Sequence, residues 1–256
     1  MEDAAVVLNV VARPDPRDVD ALPDDGVDYL DRIGAGVAGL RIALSLTLGH
    51  AREVDAEVAR AVKEAARRFS ELGATVEESD PPISDPMPVF KKLFSAGFAH
   101  SLGHLTAAQL ERAGPRLLEL MEGGKNLTLA EYMRALSDRR GLAQAMAVFH
   151  ERYDLLLTPT LAVSAFQADR WAPASFEKYG DIRAWVPFGN LFNMSQQPAA
   201  SVCCGYTSDG LPIGLQIAGR RFEDVLVLRA ARAFEQAMPA RVSPLAEAWE
   251  NEQDAG

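Results

Sequence analysis

The sequence predicts an α/β protein, and three observations carry that reading. A strand, helix, strand unit runs from Gly39 to Glu78. Three consecutive leucines, Leu155 to Leu157, form a strand that needs cover on both faces. Two further strands, joined by a turn at Asp209 and Gly210, lead into an amphipathic helix.

Each element follows from its residues. From Ala4 to Ala12 the run AAVVLNVVA reads as a helix, and the polar, proline-bearing RPDPRDVDALPDD behind it reads as a long surface loop that adds little core. GLRIALSL, starting at Gly39, is a buried strand. Val54, Val58, Ala61, Val62, Ala65, Phe69 and Leu72 then recur at helical spacing, with charged residues on the opposite face. That helix stops at Gly73, and ATVEE resumes as a strand.

Between Asp85 and Tyr153 the chain reads as almost wholly helical, packed on one side of the sheet. LTAAQLERAG and LTLAEYMRALSDRRGLAQAMAVFHERY each open at a threonine that can cap a first turn. YDLLLTPT returns a strand that Pro159 breaks, and the segment up to Pro187 has no clear period, which predicts loop with short helical pieces. ASVCCGYTSDGLPIGLQIAG supplies the last two strands, and DVLVLRAARAFEQAM the last helix.

Composition narrows the function. The chain has 256 residues, 48% hydrophobic and 24% charged, enough for a substantial core, and 36 acids against 26 bases give a formal charge of -10. Such a charge repels phosphate backbones and anionic lipid, which argues against nucleic-acid and membrane partners. No apolar run spans a bilayer, and Met1 is followed by Glu2 and Asp3, so a cytoplasmic location is expected. The cysteines are the adjacent pair Cys203 and Cys204, unsuited to stapling distant segments or to zinc sites of ordinary spacing.

Little in the sequence looks like self-contained chemistry. His100 and His104 are four apart on an expected helix, but Ser101 stands where a zinc protease motif carries glutamate, so surface histidines are expected and no metal site. EGGKNLT lacks phosphate-loop spacing and reads as a loop between helices. The Asn126 to Thr128 sequon reads as chance. Cys203 and Cys204 should point to opposite faces of one strand, as packing residues. No GxSxG elbow and no adjacent serines occur, so no catalytic residue is assigned.

Four ordered blocks resemble the amidase-signature family, including amidases and the A subunit of glutamyl-tRNA amidotransferase. MEDAAVVLNVVARPDPRD is similar to the segment that follows the family's catalytic core. GLRIA, its helix and GATVEE are similar to the next strand, helix and strand; YDLLLTPT matches an aspartate-leucine-leucine run into threonine-proline-threonine. FNMSQQPAASVCCGYTSDGLPIGLQIAGRRFEDVLVLRAARAFE resembles the closing block, with Gly210, Pro212, Gly214, Gln216 and Gly219 in their usual order. A glycine is usual where Gln196 stands and a proline where Cys203 stands.

The resemblance implies a mixed β-sheet flanked by helices over residues 1–256. It also implies an incomplete fold, the C-terminal half only, with a helical insertion at about 85–153 and a variable loop region at about 160–187. In intact members a serine nucleophile, a second serine in a cis peptide and a lysine act with a glycine-serine-rich oxyanion loop, all upstream of the segment that resembles Met1 to Asp18. Amide hydrolysis without a cofactor is therefore expected of a complete chain, on a small amide substrate, and inactivity of this one. An internal start assignment and a truncated gene both fit the sequence. Partners implied are the missing N-terminal half or a second copy, docked on an exposed apolar face.

The alternatives are a non-catalytic α/β binding or partner subunit, and an unrelated three-layer α/β binding protein. For substrate contact, Thr158 and Thr160 are expected at the pocket rim, because the chain must leave the sheet at Pro159 and strand ends border the ligand crevice in open α/β sheets. In the variable region, Trp171, Phe176, Tyr179, Trp185 and Phe188 either line an acyl pocket or cover the core, with Trp185 and Phe188 the rim candidates.

Overall fold

In the computed structural model, which describes residues 1–24, 26–179 and 184–239, a five-stranded mixed sheet forms the centre. Residues 180–183 of the expected variable region and 240–256 of the expected domain lie outside the described residues. Helix α1 (Glu2–Val11) leads through a long loop to β1 (Arg41–Leu44), α2 (Ala56–Glu71) and β2 (Thr75–Glu78). Helices α3 (Met87–Leu102), α4 (Ala107–Leu110), α5 (Pro115–Lys125) and α6 (Leu129–Arg152) follow. Then come β3 (Leu155–Pro159), a 3-10 helix at Ala174–Tyr179, α7 (Gly189–Ser195), β4 (Ala199–Tyr206), β5 (Pro212–Gly219) and α8 (Asp224–Ala237).

The strand order is β2-β1-β3-β5-β4. β1 pairs in parallel with β2 and β3, while β5 runs antiparallel to both β3 and β4. The strand, helix, strand unit is thus β1-α2-β2, and the turn at Asp209 and Gly210 does join two paired strands, with Gly210 at φ 78. Asp55 caps α2 by accepting from the Glu57 and Val58 amides, and Gly73, at φ 92, ends it where a side chain would strain the backbone.

Leu155, Leu156 and Leu157 are all fully buried, as a central strand requires. Leu155 and Leu157 join a core with Val58, Val62, Phe69, Ala230 and Phe234 of α2 and α8, where the rings of Phe69 and Phe234 stack 5.5 Å apart. Leu156 faces the other way, into a second core with Met146 and Phe149 of α6, Leu191 and Phe192 of α7, and Phe188 just before α7. Each buried leucine contributes roughly 2–3 kcal/mol, so this one strand ties both layers together. Pro159 does not break the strand as expected; it still pairs with Leu215. The amide it lacks would point towards β1, which has already ended at Leu44, so no ladder bond is lost.

The 85–153 block is largely helical; Met146 and Phe149 of α6 pack with Ala43, Leu156 and Ala218 of the sheet, while α3 packs on α5 and α6. Two expectations fail within it. Gly123, Gly124 and Lys125 of the EGGKNLT segment are helical, at the end of α5. Gly124 is there because α3 lies so close that a Cβ would overlap the Ser95 carbonyl. His104 falls outside α3, which ends at Leu102, so His100 and His104 do not share a helix face. Among the described residues no cluster of His, Cys, Asp or Glu could hold a metal ion, and no helix is long and apolar enough to cross a membrane.

A polar clasp closes the sheet at the start of β3. The Asp154 carboxylate accepts from the Arg41 amide at 2.8 Å and from the guanidiniums of Arg41 and Arg220 at 3.2 and 2.9 Å. Burial alone would raise its pKa, but these donors outweigh burial and hold it below the ordinary carboxylate range. Arg220 Nε also donates to the His150 carbonyl, tying the end of α6 to the end of β5. His150 itself is buried, and burial above all, with Arg220 adding to it, lowers its pKa to about 4 despite the opposing Tyr153 carbonyl and Asp154.

Acid should therefore act through this clasp. The unfolded chain takes up the His150 proton near pH 6.5 and the folded chain only near 4, so stability falls across that window by about 3 kcal/mol. The Asp154 contribution is present above the ordinary carboxylate pKa and is lost only below it, as pH falls through its lower folded value. Urea midpoints measured against pH should show the first fall in the native chain and its absence in His150→Phe. Asp154→Ala should lower stability at neutral pH by roughly 1–3 kcal/mol, since two guanidiniums and an amide lose their acceptor.

Candidate functional site

The parallel strands β1, β2 and β3 place their carboxyl ends together, and polar groups gather there. Ser45, just past β1, donates to Asp80 at 2.5 Å and accepts from the Leu48 amide at 2.7 Å, beside a cavity of about 310 Å3 walled by Thr47, Ser79 and Asp80. Towards β4, the sheet face that begins with Leu156 and Ala218 turns polar. Thr158, Gln216 and Ser201 stand opposite one another across β3, β5 and β4. Gln216 Nε2 donates to Thr158 Oγ1 at 3.0 Å, and the hydroxyls of Thr160 and Ser201 lie 2.7 Å apart.

Gly214 makes that last contact possible. A Cβ on it would meet Thr160 Oγ1 at 2.7 Å and Ser201 Oγ at 3.0 Å, so the two hydroxyls close over a strand that must stay bare. Thr160 is further fixed by its amide, which donates to the Gly214 carbonyl. Among the described residues the Thr160–Ser201 pair bonds to no imidazole, amine or carboxylate. The pair can orient a neutral polar group by donating and accepting, but it holds no base that would activate either hydroxyl for attack.

Of the four expected rim residues, Thr160 is half-buried just beyond the sheet, next to exposed Ser201. Thr158 corrects the expectation. It is fully buried, donates to the Pro159 carbonyl and accepts from Gln216, because Pro159 stays in the sheet and the edge falls later. Phe188 is also fully buried, in the second core, and Phe176 lies there with it. Trp185 is half-buried, with its indole N–H donating to the Trp171 carbonyl and its ring edge-on to Phe166. These aromatics cover the core. Tyr179 reaches Glu53 with its hydroxyl, and Trp171 is exposed.

Ser201 was missing from the sequence-derived set, and Gly214 and Gln216 had entered it only as structural markers. Cys204 packs into the first core, where burial, with Cys203 beside it, pushes its thiol up to about 12, and Cys203 faces the other way. Burial of Cys204 disfavours its thiolate at neutral pH. An apolar helix face and a strand edge are exposed among the described residues. Val6, Val7, Val10 and Val11 of α1 are each at least half exposed, and β4 pairs only with β5 among the described residues, which leaves its outer edge unpaired.

Helix α7 ends in strain. Its last residue is followed by Gln196 at φ 58 and ψ 39, the left-handed region, and Arg139 Nε caps the helix at the Met194 carbonyl. The glycine usual here in the resembled family would hold this geometry without a Cβ penalty. Gln196 instead accepts from Arg221 at 3.2 Å through its side chain.

The chain is similar to known proteins over most of its length. A family model described as Amidase matches residues 1–228. An acylamidase of Rhodococcus erythropolis is 34% identical over 244 residues, which are 93% of this chain and 50% of the relative. The A subunit of the glutamyl-tRNA(Gln) amidotransferase of Syntrophomonas wolfei is 29% identical over 92% of this chain and 52% of the relative. Among solved structures, a bacterial aryl acylamidase of the amidase signature enzymes superposes with a TM-score of 0.78 at 29% identity, over 93% of this chain and 51% of that one. The chain thus spans about half the length of the curated relatives it matches.

Two substitutions test the local geometry by thermal or chemical denaturation. Gln196→Gly should stabilise the chain by roughly 0.5–1 kcal/mol, the relief of a left-handed side chain less the lost Arg221 bond. A destabilised variant would mean that the bond outweighs the strain. Gly214→Ala should cost roughly 1–3 kcal/mol, because the new methyl must part Thr160 from Ser201.

Proposed function

The chain belongs to the amidase family, and from that premise we propose that it is the C-terminal half of a hydrolase that, when complete, cleaves carbon-nitrogen bonds of small amides. The observation that carries this reading is the Thr160–Ser201 hydroxyl pair, at the carboxyl end of β3 and on β4, which pairs only with β5 among the described residues. Amide hydrolysis needs an activated nucleophile and prepositioned oxyanion donors. This chain would supply the rim that orients substrate, with Thr160 and Ser201 the contacting residues, and a second segment would supply nucleophile, base and oxyanion donors. Supporting the reading are the half-length match to relatives and the exposed valines of α1, which would be covered by that segment.

The same features fit a second reading, a non-catalytic subunit that docks on a partner. Several relatives, the Syntrophomonas wolfei protein among them, are named as subunits, which is what favours keeping it. Complementation separates the two. We expect the purified chain to show no amidase or esterase activity above background, because an unactivated hydroxyl forfeits most of the rate enhancement. Co-expression with the N-terminal half of an amidase-family relative should give a complex that hydrolyses an aryl amide. A complex without turnover would favour the subunit reading. Turnover by the chain alone, abolished by Ser201→Ala, would overturn both.

A further inference from the structure

A second cavity lies at the other end of the sheet, and its chemistry is unlike that of the rim. It opens between the last turns of α6, the end of α7 and the residues just after β5, and has a volume of about 210 Å3. Asp154 and His150 precede β3 and Thr160 follows it, so a five-residue strand, about 16 Å, separates this cavity from the hydroxyl pair. Ala143 and Ala147 form an apolar floor at helical spacing with His150, while Ser195 and Gln197 form the polar wall. Arg220 and Arg221 complete it, and no acid is among its lining residues, in a chain whose net charge is -10.

His150 makes this more than a basic dent. The imidazole is 1% exposed and forms part of the cavity wall. Its Nδ1 lies 3.0 Å from the Tyr153 carbonyl, which can only accept, so the proton sits on Nδ1 and Nε2 is left as an acceptor. Nε2 has no hydrogen-bond partner among the described residues. A buried acceptor without a donor forfeits the hydrogen bond it made to water in the unfolded chain, which a bound donor would restore. Burial keeps the ring neutral at physiological pH, with its pKa lowered to about 4.

The other groups are held in place. Ser195 donates to Gln197 Oε1 at 2.8 Å, and Gln197 Nε2 donates to the Gly219 carbonyl at 2.7 Å, which fixes the wall and leaves the serine oxygen free to accept. Arg220 is anchored by the His150 carbonyl and Asp154, Arg221 by the strained Gln196. Each guanidinium has more N–H groups than these contacts use. The cavity therefore combines positive charge at its mouth, an uncharged acceptor within and an apolar floor.

We propose that this cavity binds a small organic carboxylate carrying an uncharged hydrogen-bond donor, a hydroxyl or an amide N–H, with the carboxylate on Arg220 and Arg221 and the donor on His150 Nε2. The charge comes from the arginines and the selectivity from the histidine, because an acceptor buried without a donor penalises a ligand that lacks one. Binding here does not depend on amide hydrolysis, so it can be tested on the chain alone, whatever its catalytic competence.

The probes are L-lactate, N-acetylglycine and propionate, which matches lactate except for its hydroxyl, titrated by calorimetry or NMR at pH 7. Lactate and N-acetylglycine should bind at least about fivefold more tightly than propionate. His150→Phe should bring the three within about twofold, and Arg221→Gln should weaken all of them about tenfold. Ala147→Trp, at an exposed helix position that leaves the core untouched, should block the cavity and abolish binding, and it decides the matter if His150→Phe fails to fold. The proposal is overturned if no probe binds up to about 50 mM, if lactate and propionate bind equally, or if binding survives Ala147→Trp.

Discussion

The burial of β3 on both faces is the constraint on which the rest of the structure depends. Leu155 and Leu157 need one helical layer and Leu156 another, and the strand must also have paired neighbours on both sides. With β1 parallel on one side and β5 antiparallel on the other, the sheet becomes mixed at this strand. The consequence is architectural. α2 and α8 cover one face through Phe69 and Phe234, α6 and α7 the other through Phe149 and Phe192, and neither layer has another place to put its apolar stripe.

A buried strand still has two ends at which backbone and charge must be satisfied, and this chain treats them differently. At the start, Asp154 gathers an amide and two arginines, so α6, β1 and β5 are tied by charge-assisted hydrogen bonds around one carboxylate. At the finish, neutral groups take over: Gln216 to Thr158, and Thr160 to Ser201. Charge near the clasp also explains the basic cavity beside it, since Arg220 serves both. The neutral end suits an uncharged polar group such as an amide, in keeping with the proposed hydrolase.

Family membership and local strain meet at Gln196. The left-handed turn that ends α7 is demanded by the path into β4, and a glycine would meet that demand without cost. Here the side chain is kept and bonded to Arg221, which places a guanidinium at the mouth of the basic cavity. The outer edge of β4, which has no strand neighbour among the described residues, is a second demand of the fold. An eight-residue strand at the edge of the described sheet is a template for another strand, and this gives the proposed second segment a physical reason to dock there.

What the sequence determined by itself was periodicity. The helical spacing of Val58, Val62, Ala65 and Phe69, the glycine stop at Gly73, the leucine triplet and the turn at Gly210 each fix a local geometry through residues close in the chain, and each element formed where expected. Four family blocks in order carried the resemblance for the same reason. Tertiary structure alone decided what depends on distant neighbours. Thr158 is buried because the missing amide of Pro159 faces a strand that has already ended, which no local rule contains. A glycine sits at position 124 inside α5, against its own helix propensity, because Ser95 of α3 leaves no room there for a Cβ. Ser201 faces Gln216 only through the irregularity between Cys203 and Gly205: an unbroken hairpin would have set Val202 there and turned the serine to the opposite face, since side chains alternate with a period of two.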